Sequence, residues 1–148
     1  DAQLPAHARL ASAIAAVGAV PGIQLAHAGR KASRRAPWEE GRAVPGWVPA
    51  GPSALPFGDY AEPRAMGEAD MAATIEAFAD AARRSVAAGY RVVEIHAAHG
   101  YLLHQFLSPL SNRRNDAWGG DFDGRARLPL EVARAVRAAL PDEVPLAV

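Results

Sequence analysis

The stretch that decides the fold reads Val92-Val93-Glu94-Ile95-His96-Ala97-Ala98-His99-Gly100-Tyr101-Leu102-Leu103. Its first four residues suit a β-strand, in which successive side chains point to opposite faces. This alternation places Val92, Glu94 and His96 on one face. Because Val93 and Ile95 fall on the other face, the stretch predicts a strand with one polar side and one apolar side.

Polar side chains gather immediately after this strand. His96 and His99 lie three residues apart, Tyr101 follows two residues later, and Gly100 permits a backbone turn that larger residues resist. Ligands of α/β proteins bind at the carboxyl edge of the parallel strands. We therefore expect His96, His99 and Tyr101 to contribute to a ligand-binding site.

The composition is typical of a soluble globular domain. The chain has 148 residues, 50% of them hydrophobic, and 16 Lys and Arg balance 16 Asp and Glu. This balance gives no sign of binding to nucleic acid or to a membrane, and no apolar run approaches the ~20 residues of a transmembrane helix. The absence of cysteine excludes disulfides and thiolate metal sites within the chain. Since no signal peptide is recognisable, we expect a cytoplasmic protein.

The order of the predicted elements indicates a parallel sheet. Apolar spacing predicts helices over 6–17, 68–88 and about 125–140, the last with Pro129 in its first turn. Strands are predicted over 22–27 and from residue 92, and a third begins in the apolar run 144–148. Helices that alternate with strands are typical of an open doubly wound sheet or of an arc of a barrel. Because the chain starts without Met and stops in a strand just begun, we expect a segment of a longer protein with an unpaired strand edge.

Two regions are predicted to be loops. Region 28–66 is long and contains four aromatic side chains, so we expect it to cover a functional face or to hold short elements of its own, rather than to be a disordered linker. Region 104–123 is dense in Asn, Asp, Arg and Gly, which predicts a loop held by its own polar hydrogen bonds.

Residue chemistry alone leaves several interpretations of the histidines. They are either ordinary core and loop residues, or ligands of a metal together with Glu94 or His104, or a pair of N–H donors to one carbonyl oxygen. Tyr101 suits a proton donor, because a phenolic hydroxyl is a weak acid that can protonate a strongly basic carbon. Its alternative role is that of an aromatic residue packed beneath a loop.

Three further polar features could contribute to binding. Gln24 lies on the first predicted strand, near the same sheet edge, and its amide matches an imide edge such as the pyrimidine of a flavin; otherwise it is a satisfied polar residue. The basic run within 30–35 is either a solvated loop or a contact to the phosphate of NADPH or to a partner subunit. Glu94 requires a charged partner, such as an arginine.

Three groups of residues resemble the old yellow enzyme family. They are Gln24-Leu25-Ala26-His27-Ala28-Gly29-Arg30-Lys31, then His96-Ala97-Ala98-His99-Gly100-Tyr101-Leu102, and then Phe106-Leu107-Ser108-Pro109 with Asn112, Arg114, Asp116 and Gly119-Gly120. The resemblance covers almost the whole chain and is nearest to the bacterial xenobiotic-reductase or thermophilic-like branch of NADPH dehydrogenases. It implies a partial TIM (β/α)8 barrel, with parallel strands and crossover helices. Residues 1–148 would be a single segment of an FMN-binding barrel, from about its second helix to the start of its fifth strand, without the flanking strands.

The resemblance implies an FMN-dependent ene-reductase. NADPH or NADH would reduce the flavin, which would pass a hydride to the β-carbon of an α,β-unsaturated carbonyl compound. His96 and His99 would bind the carbonyl oxygen, Tyr101 would protonate the α-carbon, and Gln24 would hold the flavin pyrimidine. The implied partners are small-molecule enones and similar electrophilic alkenes, without a metal, and the full-length protein would be a homo-oligomer.

Other classes of protein remain open at this point. The wider family includes iron–sulfur flavoprotein reductases of the dienoyl-CoA reductase or amine dehydrogenase type, and a metalloenzyme without flavin is a further alternative. The isolated segment is expected to be an inactive, truncated half-barrel. Asp123-Gly124 departs from the Glu-Asn that the family usually has, which is expected to alter the start of the last helix rather than the chemistry.

Overall fold

The computed structural model describes residues 2–39, 41 and 43–148. Within them the helices are α1 (Leu4–Ala16), α2 (Glu68–Ala87), α3 (Leu102–Leu107) and α4 (Phe122–Ala139), and the strands are β1 (Gly22–Leu25), β2 (Ala50–Gly51), β3 (Arg64–Ala65), β4 (Val92–Ile95) and β5 (Leu146–Ala147). The chain divides into two compact units. The first comprises residues up to Leu25, Ala72–His96 and Glu131–Val148, and the second comprises Ala26–Met71 and Ala97–Leu130.

The first unit contains a parallel sheet of three strands in the order β1-β4-β5. Gln24 pairs with Glu94, and Val93 pairs with Leu146, in parallel register. Parallel strands require crossover connections, which here contain α2 and α4. The prediction of parallel strands joined by crossover helices is therefore confirmed.

Strand β4 has the two faces that its sequence predicts. Val93 and Ile95 are 0% and 1% exposed, because they pack into the core. Glu94 is exposed, as is its neighbour Gln24 on β1. The polar face of this sheet is thus open to ligands, and the apolar face supplies the free energy that holds the strands in place.

Helix α4 begins earlier than its apolar spacing predicts. Asp121 precedes its first turn and accepts a hydrogen bond from the Gly124 N–H at 2.8 Å, which is the geometry of an N-cap. The helix therefore begins at Phe122, and Pro129 lies in its interior. The prediction that Pro129 occupies the first turn was wrong, since the capping aspartate was overlooked.

The two predicted loops contain regular structure. Region 28–66 includes the parallel pair β2–β3 and the short 3₁₀ turns Gly29–Lys31 and Pro37–Glu39, which confirms that it holds elements of its own. Region 104–123 was wrongly predicted to be loop from its start, because α3 extends to Leu107. None of the helices in the described part of the chain has the length and apolar character needed to cross a bilayer.

The remainder of region 104–123 is held by polar bonds, as predicted. The Arg114 guanidinium donates to the Pro52 carbonyl at 3.0 Å and to the Met66 carbonyl at 2.6 Å, and it also binds Asp116. This guanidinium lowers the pKa of the Asp116 carboxyl below its ordinary value. The network thus fixes this loop both to itself and to the segments around β2 and β3.

One carboxylate stabilises the start of α2. Asp70 Oδ2 accepts a hydrogen bond from the Gly67 N–H at 2.8 Å, as in a capping box, and Arg64 donates to both carboxylate oxygens. The hydrogen bond from Arg64 is the largest cause that lowers the pKa of Asp70 from 3.8 to about 2.

We predict that Asp70→Asn destabilises the protein at neutral pH and has little effect at low pH. Since the folded-state pKa of about 2 lies below 3.8, the stabilisation is present above about pH 4 and is lost as the pH falls through about 2. Urea unfolding of the two proteins between about pH 6 and pH 2 measures this, with Asp80→Asn as the control from an exposed ion pair of the same helix. A difference in unfolding free energy that does not shrink towards pH 2 would contradict the prediction.

Candidate functional site

The carboxyl end of the sheet in the first unit carries an amide beside a carboxylate. Gln24 and Glu94 are cross-strand partners, and Gln24 Nε2 donates to Glu94 Oε1 at 3.0 Å on the exposed face. The sequence predicts a charged partner for Glu94, such as an arginine. The partner in the structure is the Gln24 amide, which is the neighbour that parallel register provides.

His96 directly follows β4 on its polar face. Its backbone N–H donates to the Leu25 carbonyl at 2.9 Å, which extends the pairing between β1 and β4 by one hydrogen bond. The side chain is partly exposed. The predicted position of His96 at the carboxyl edge of this sheet is therefore confirmed.

In the second unit, two loops are joined by hydrogen bonds. We call residues 26–31 the β1 loop and residues 97–101 the histidine loop. The Leu102 N–H donates to the His27 carbonyl at 2.9 Å, and Lys31 Nζ donates to the His99 carbonyl at 2.6 Å. The histidine loop, which carries His99 and Tyr101, is thus attached to the β1 loop at its middle residue and directly after its last residue.

The His27 side chain supports the β1 loop from within. Its Nδ1 accepts a hydrogen bond from the Gly29 N–H at 2.9 Å, which requires that this nitrogen be unprotonated. Burial lowers the pKa of His27 below its ordinary value of 6.5. The ring is therefore neutral at pH 7 and acts as a fixed acceptor of the loop.

The basic run within 30–35 is largely bound within the second unit. Arg30 donates to the Leu55 and Pro56 carbonyls, and Arg34 pairs with Asp59 at 2.8 Å, which lowers the pKa of that carboxyl. Lys31 Nζ lies 4.2 Å from the centroid of an aromatic ring, that of Phe57. Arg30 and Arg34 are therefore bound within the unit and are not part of a solvated loop, whereas Arg35 is exposed as that interpretation expects. These contacts give no support to a phosphate site.

A metal centre receives no support from the geometry. Among residues 2–39, 41 and 43–148, no three His, Cys, Asp or Glu side chains converge as ligands would. His104 Nδ1 accepts a hydrogen bond from the Gly100 N–H at 2.9 Å. That bond gives His104 a structural role in the histidine loop.

Two residues of this region were missed by the sequence analysis. Lys31 was assigned only to the basic run, although its ammonium group binds the His99 carbonyl. Gln105 was not singled out, although it is 1% exposed on a helix whose other buried residues are apolar. A polar residue at a predicted core position, such as Gln105, is a signal that could have identified it.

We predict that Gly29→Ala is among the most destabilising glycine substitutions in the chain. Gly29 has a φ of +59°, and a Cβ there would lie 2.5 Å from Gln105 Nε2. The backbone strain and the steric overlap together are expected to cost about 2–4 kcal/mol of unfolding free energy. Urea unfolding checks this, with Gly58→Ala as the matched control, because Gly58 has a φ of +55° and open space around its Cβ position. Equal losses in the two variants would show that the overlap with Gln105 is unimportant.

Comparison with known proteins identifies clear relatives. The chain matches the family described as NADH:flavin oxidoreductase / NADH oxidase over residues 1–148. It is 51% identical over 121 residues to the NADPH dehydrogenase of Geobacillus thermodenitrificans, a match that covers 81% of this chain and 32% of that protein. The chain spans about a third of the length of the curated relatives it matches.

Solved structures show the same similarity. Morphinone reductase in complex with tetrahydroNAD is 32% identical with a TM-score of 0.84, over 99% of this chain and 43% of that chain. 2-Naphthoyl-CoA reductase in complex with 2-naphthoyl-CoA gives the same identity and TM-score, over 99% of this chain and 23% of that chain. These neighbours are TIM-barrel members of the old yellow enzyme family, which confirms the predicted fold class of a partial (β/α)8 barrel.

Proposed function

The chain belongs to the NADH:flavin oxidoreductase / NADH oxidase family, and from this premise we propose that the whole protein is an FMN-dependent NAD(P)H oxidoreductase that reduces the C=C bond of α,β-unsaturated carbonyl compounds. The observation that carries this proposal is the fixed histidine loop, whose backbone is bound by Lys31 and by His104. A fixed loop holds its hydrogen-bond donors in place before negative charge develops on a substrate oxygen, and donors held in this way stabilise that charge most effectively. His99 and Tyr101 lie on this loop, and His96 precedes it by one residue.

The residues of the first unit fit a flavin. Gln24 lies on the exposed face of the sheet, and its hydrogen bond to Glu94 uses only one hydrogen of the amide nitrogen. The second hydrogen and the carbonyl oxygen provide a donor beside an acceptor, which is the complement of an imide edge. In the proposed function, Gln24 would hold the pyrimidine ring of FMN. When bound, FMN supplies the hydride-transfer chemistry, with NADPH or NADH as the source of reducing equivalents.

The chain's own residues perform the remaining steps of the proposed reaction. The imidazole N–H groups of His96 and His99 donate to the carbonyl oxygen of the substrate and stabilise the negative charge that develops there. Tyr101 Oη supplies a proton to the α-carbon, while the β-carbon receives the hydride. The hydroxyl retains its proton until the α-carbon becomes strongly basic, so that the two additions occur in the productive order.

The test uses the full-length protein reconstituted with FMN. We expect a yellow protein whose flavin absorbance is bleached by NADPH under anaerobic conditions. Addition of 2-cyclohexenone should then restore the absorbance and yield cyclohexanone in equal amount. A protein that remains colourless after reconstitution, or a bleached flavin that the enone does not reoxidise, would contradict the proposal.

A second candidate is an iron–sulfur flavoprotein reductase of the wider family. It is favoured by the similarity to 2-naphthoyl-CoA reductase, which is named for a CoA thioester as the dienoyl-CoA reductases are, and whose TM-score of 0.84 equals that of the morphinone reductase complex. The two candidates share the flavin and differ in iron. Iron and acid-labile sulfide in the purified full-length protein would support the second candidate, and their absence from a yellow, enone-reducing protein would support the first.

A further inference from the structure

The histidine loop contains two successive residues in the left-handed backbone region. His99 has a φ of 55° and Gly100 has a φ of 71°. Glycine adopts this region freely, whereas a residue with a Cβ occupies it only where its surroundings impose it. The direction of the His99 side chain therefore depends on the groups that bind the two peptides that follow it, on either side of Gly100.

Three side chains bind those peptides. Lys31 Nζ donates to the His99 carbonyl at 2.6 Å, His104 Nδ1 accepts from the Gly100 N–H at 2.9 Å, and Gln105 Nε2 donates to the Gly100 carbonyl at 2.7 Å. His104 is exposed and Lys31 is partly exposed, while Gln105 is buried. Water readily replaces a hydrogen bond at the surface, whereas the Gln105 amide is buried, so we expect the loss of this amide to weaken the support of the Gly100 carbonyl most.

The same amide also binds the β1 loop. Gln105 Nε2 donates to the Ala28 carbonyl at 3.1 Å, and its Oε1 accepts from the Arg30 N–H at 3.1 Å. Both hydrogens of the amide nitrogen and its carbonyl oxygen are thus used. A side chain of the same size that lacks the amide cannot make all three bonds.

The surrounding packing restricts the position of this amide. A Cβ at Gly29 would lie 2.5 Å from Nε2, so the glycine backbone is in close contact with the side chain. Ser111 Oγ donates to the Gln105 carbonyl at 2.8 Å and fixes its backbone as well. Gln105 is therefore a rigid connection between the β1 loop and the histidine loop.

We propose that Gln105 is a positioning residue of the reaction, which sets the directions of the His99 imidazole and the Tyr101 phenol towards the carbonyl group of the substrate. It acts through the Gly100 peptide, and we assign it no contact with substrate or flavin. This inference rests on the proposed function. The inference adds that binding of the carbonyl ligand depends on the buried side-chain amide of Gln105, which does not itself contact the ligand.

The test compares Gln105→Met with Leu103→Ala in the full-length protein loaded with FMN. Leu103 is 1% exposed on the same helix, so its truncation destabilises the core without removing a bond to either loop. We expect Gln105→Met to weaken binding of 4-chlorophenol, followed through the flavin spectrum, by roughly 10- to 100-fold. Leu103→Ala should bind it within about threefold of wild type, and both variants should be bleached by NADPH. Equal affinity of Gln105→Met and wild type, or an equal loss in Leu103→Ala, would overturn the proposal.

Gln105→Glu provides a second variant of the same shape. An ionised carboxylate only accepts hydrogen bonds, whereas a protonated one can donate to the Gly100 carbonyl, and burial raises the pKa of such a group. The affinity of this variant for 4-chlorophenol, divided by that of wild type, should therefore rise several-fold from about pH 8 to about pH 6. A ratio that stays constant over this range would overturn the proposal.

Hydrogen exchange gives a readout that needs neither flavin nor ligand. The backbone N–H of Arg30 donates to Gln105 Oε1, so this N–H should exchange faster in Gln105→Met than in Leu103→Ala. An exchange rate of the Arg30 N–H in Gln105→Met that equals the wild-type rate would overturn the proposal. Failure of the proposed function has a different signature. In that case the wild-type protein itself binds no FMN or no 4-chlorophenol, whereas failure of the Gln105 proposal appears only in the comparison of variants.

Discussion

Replacing His96 or His99 by alanine in the full-length protein is expected to slow enone reduction by about 10²–10³-fold. Each imidazole supplies one preorganised donor to the carbonyl oxygen, and loss of one such donor typically costs about 2.7–4 kcal/mol in the transition state. Reduction of the flavin by NADPH involves no enone, so its rate should remain closer to that of wild type. Anaerobic stopped-flow measurement of the two half-reactions separates these effects.

The matched control for the histidine variants is His7→Ala. His7 lies on α1, and its Nδ1 lies 3.1 Å from the Tyr90 hydroxyl, so this substitution also removes a hydrogen-bonded imidazole. It should leave both half-reactions within about threefold of wild type. If His96→Ala and His99→Ala have the same affinity for 4-chlorophenol and the same rate of enone reduction as His7→Ala, neither His96 nor His99 binds the carbonyl oxygen.

Replacing Tyr101 by phenylalanine is expected to slow the enone half-reaction by about 10²–10⁴-fold, which is the usual contribution of a positioned proton donor. The phenyl ring fills the same space, so the fold and the affinity for 4-chlorophenol should change little. Because the proton is needed only at the α-carbon, reduction by NADPH should proceed normally. The measurement is reoxidation of the reduced protein by 2-cyclohexenone.

Tyr90→Phe is the control for the tyrosine variant. Tyr90 is buried in the first unit, where its hydroxyl is hydrogen-bonded to His7, so its removal tests the loss of a phenolic hydroxyl as such. This variant should lose stability and keep its rate of enone reduction. A Tyr101→Phe protein that reduces enones at the rate of Tyr90→Phe would exclude Tyr101 as the proton donor.

The parts of the fold that follow from local patterns were predictable from the sequence. β4 and its two faces follow from a period of two residues, and α2 follows from a regular apolar stripe. The predicted boundaries failed for two helices, one because of a capping residue and one because of its short length. Asp121 caps α4 ahead of its apolar stripe, and α3 has only six residues, which is too short for a clear period.

The candidate site was predictable only where its residues are close together in sequence. His96, His99 and Tyr101 lie within six positions, and the end of a strand marks them as a group. Other contacts that connect their loop to the β1 loop come from far away along the chain: Lys31 lies 68 positions from His99, and Ala28 lies 77 positions from Gln105. A pattern within one sequence does not reveal such pairs, because each pair forms only when segments that are distant in sequence pack together.

The central claim is that two imidazoles and a phenol act on one carbonyl group. It is tested most directly by a crystal structure of the full-length, FMN-loaded protein with 4-chlorophenol bound, from which the distances between the phenol oxygen and the ring nitrogens of His96 and His99 are measured. We predict that both distances are about 2.6–3.2 Å, with Gln24 against the flavin pyrimidine. A phenol oxygen within hydrogen-bond distance of neither histidine, with the two side chains turned away from each other into packed surroundings, would contradict the account.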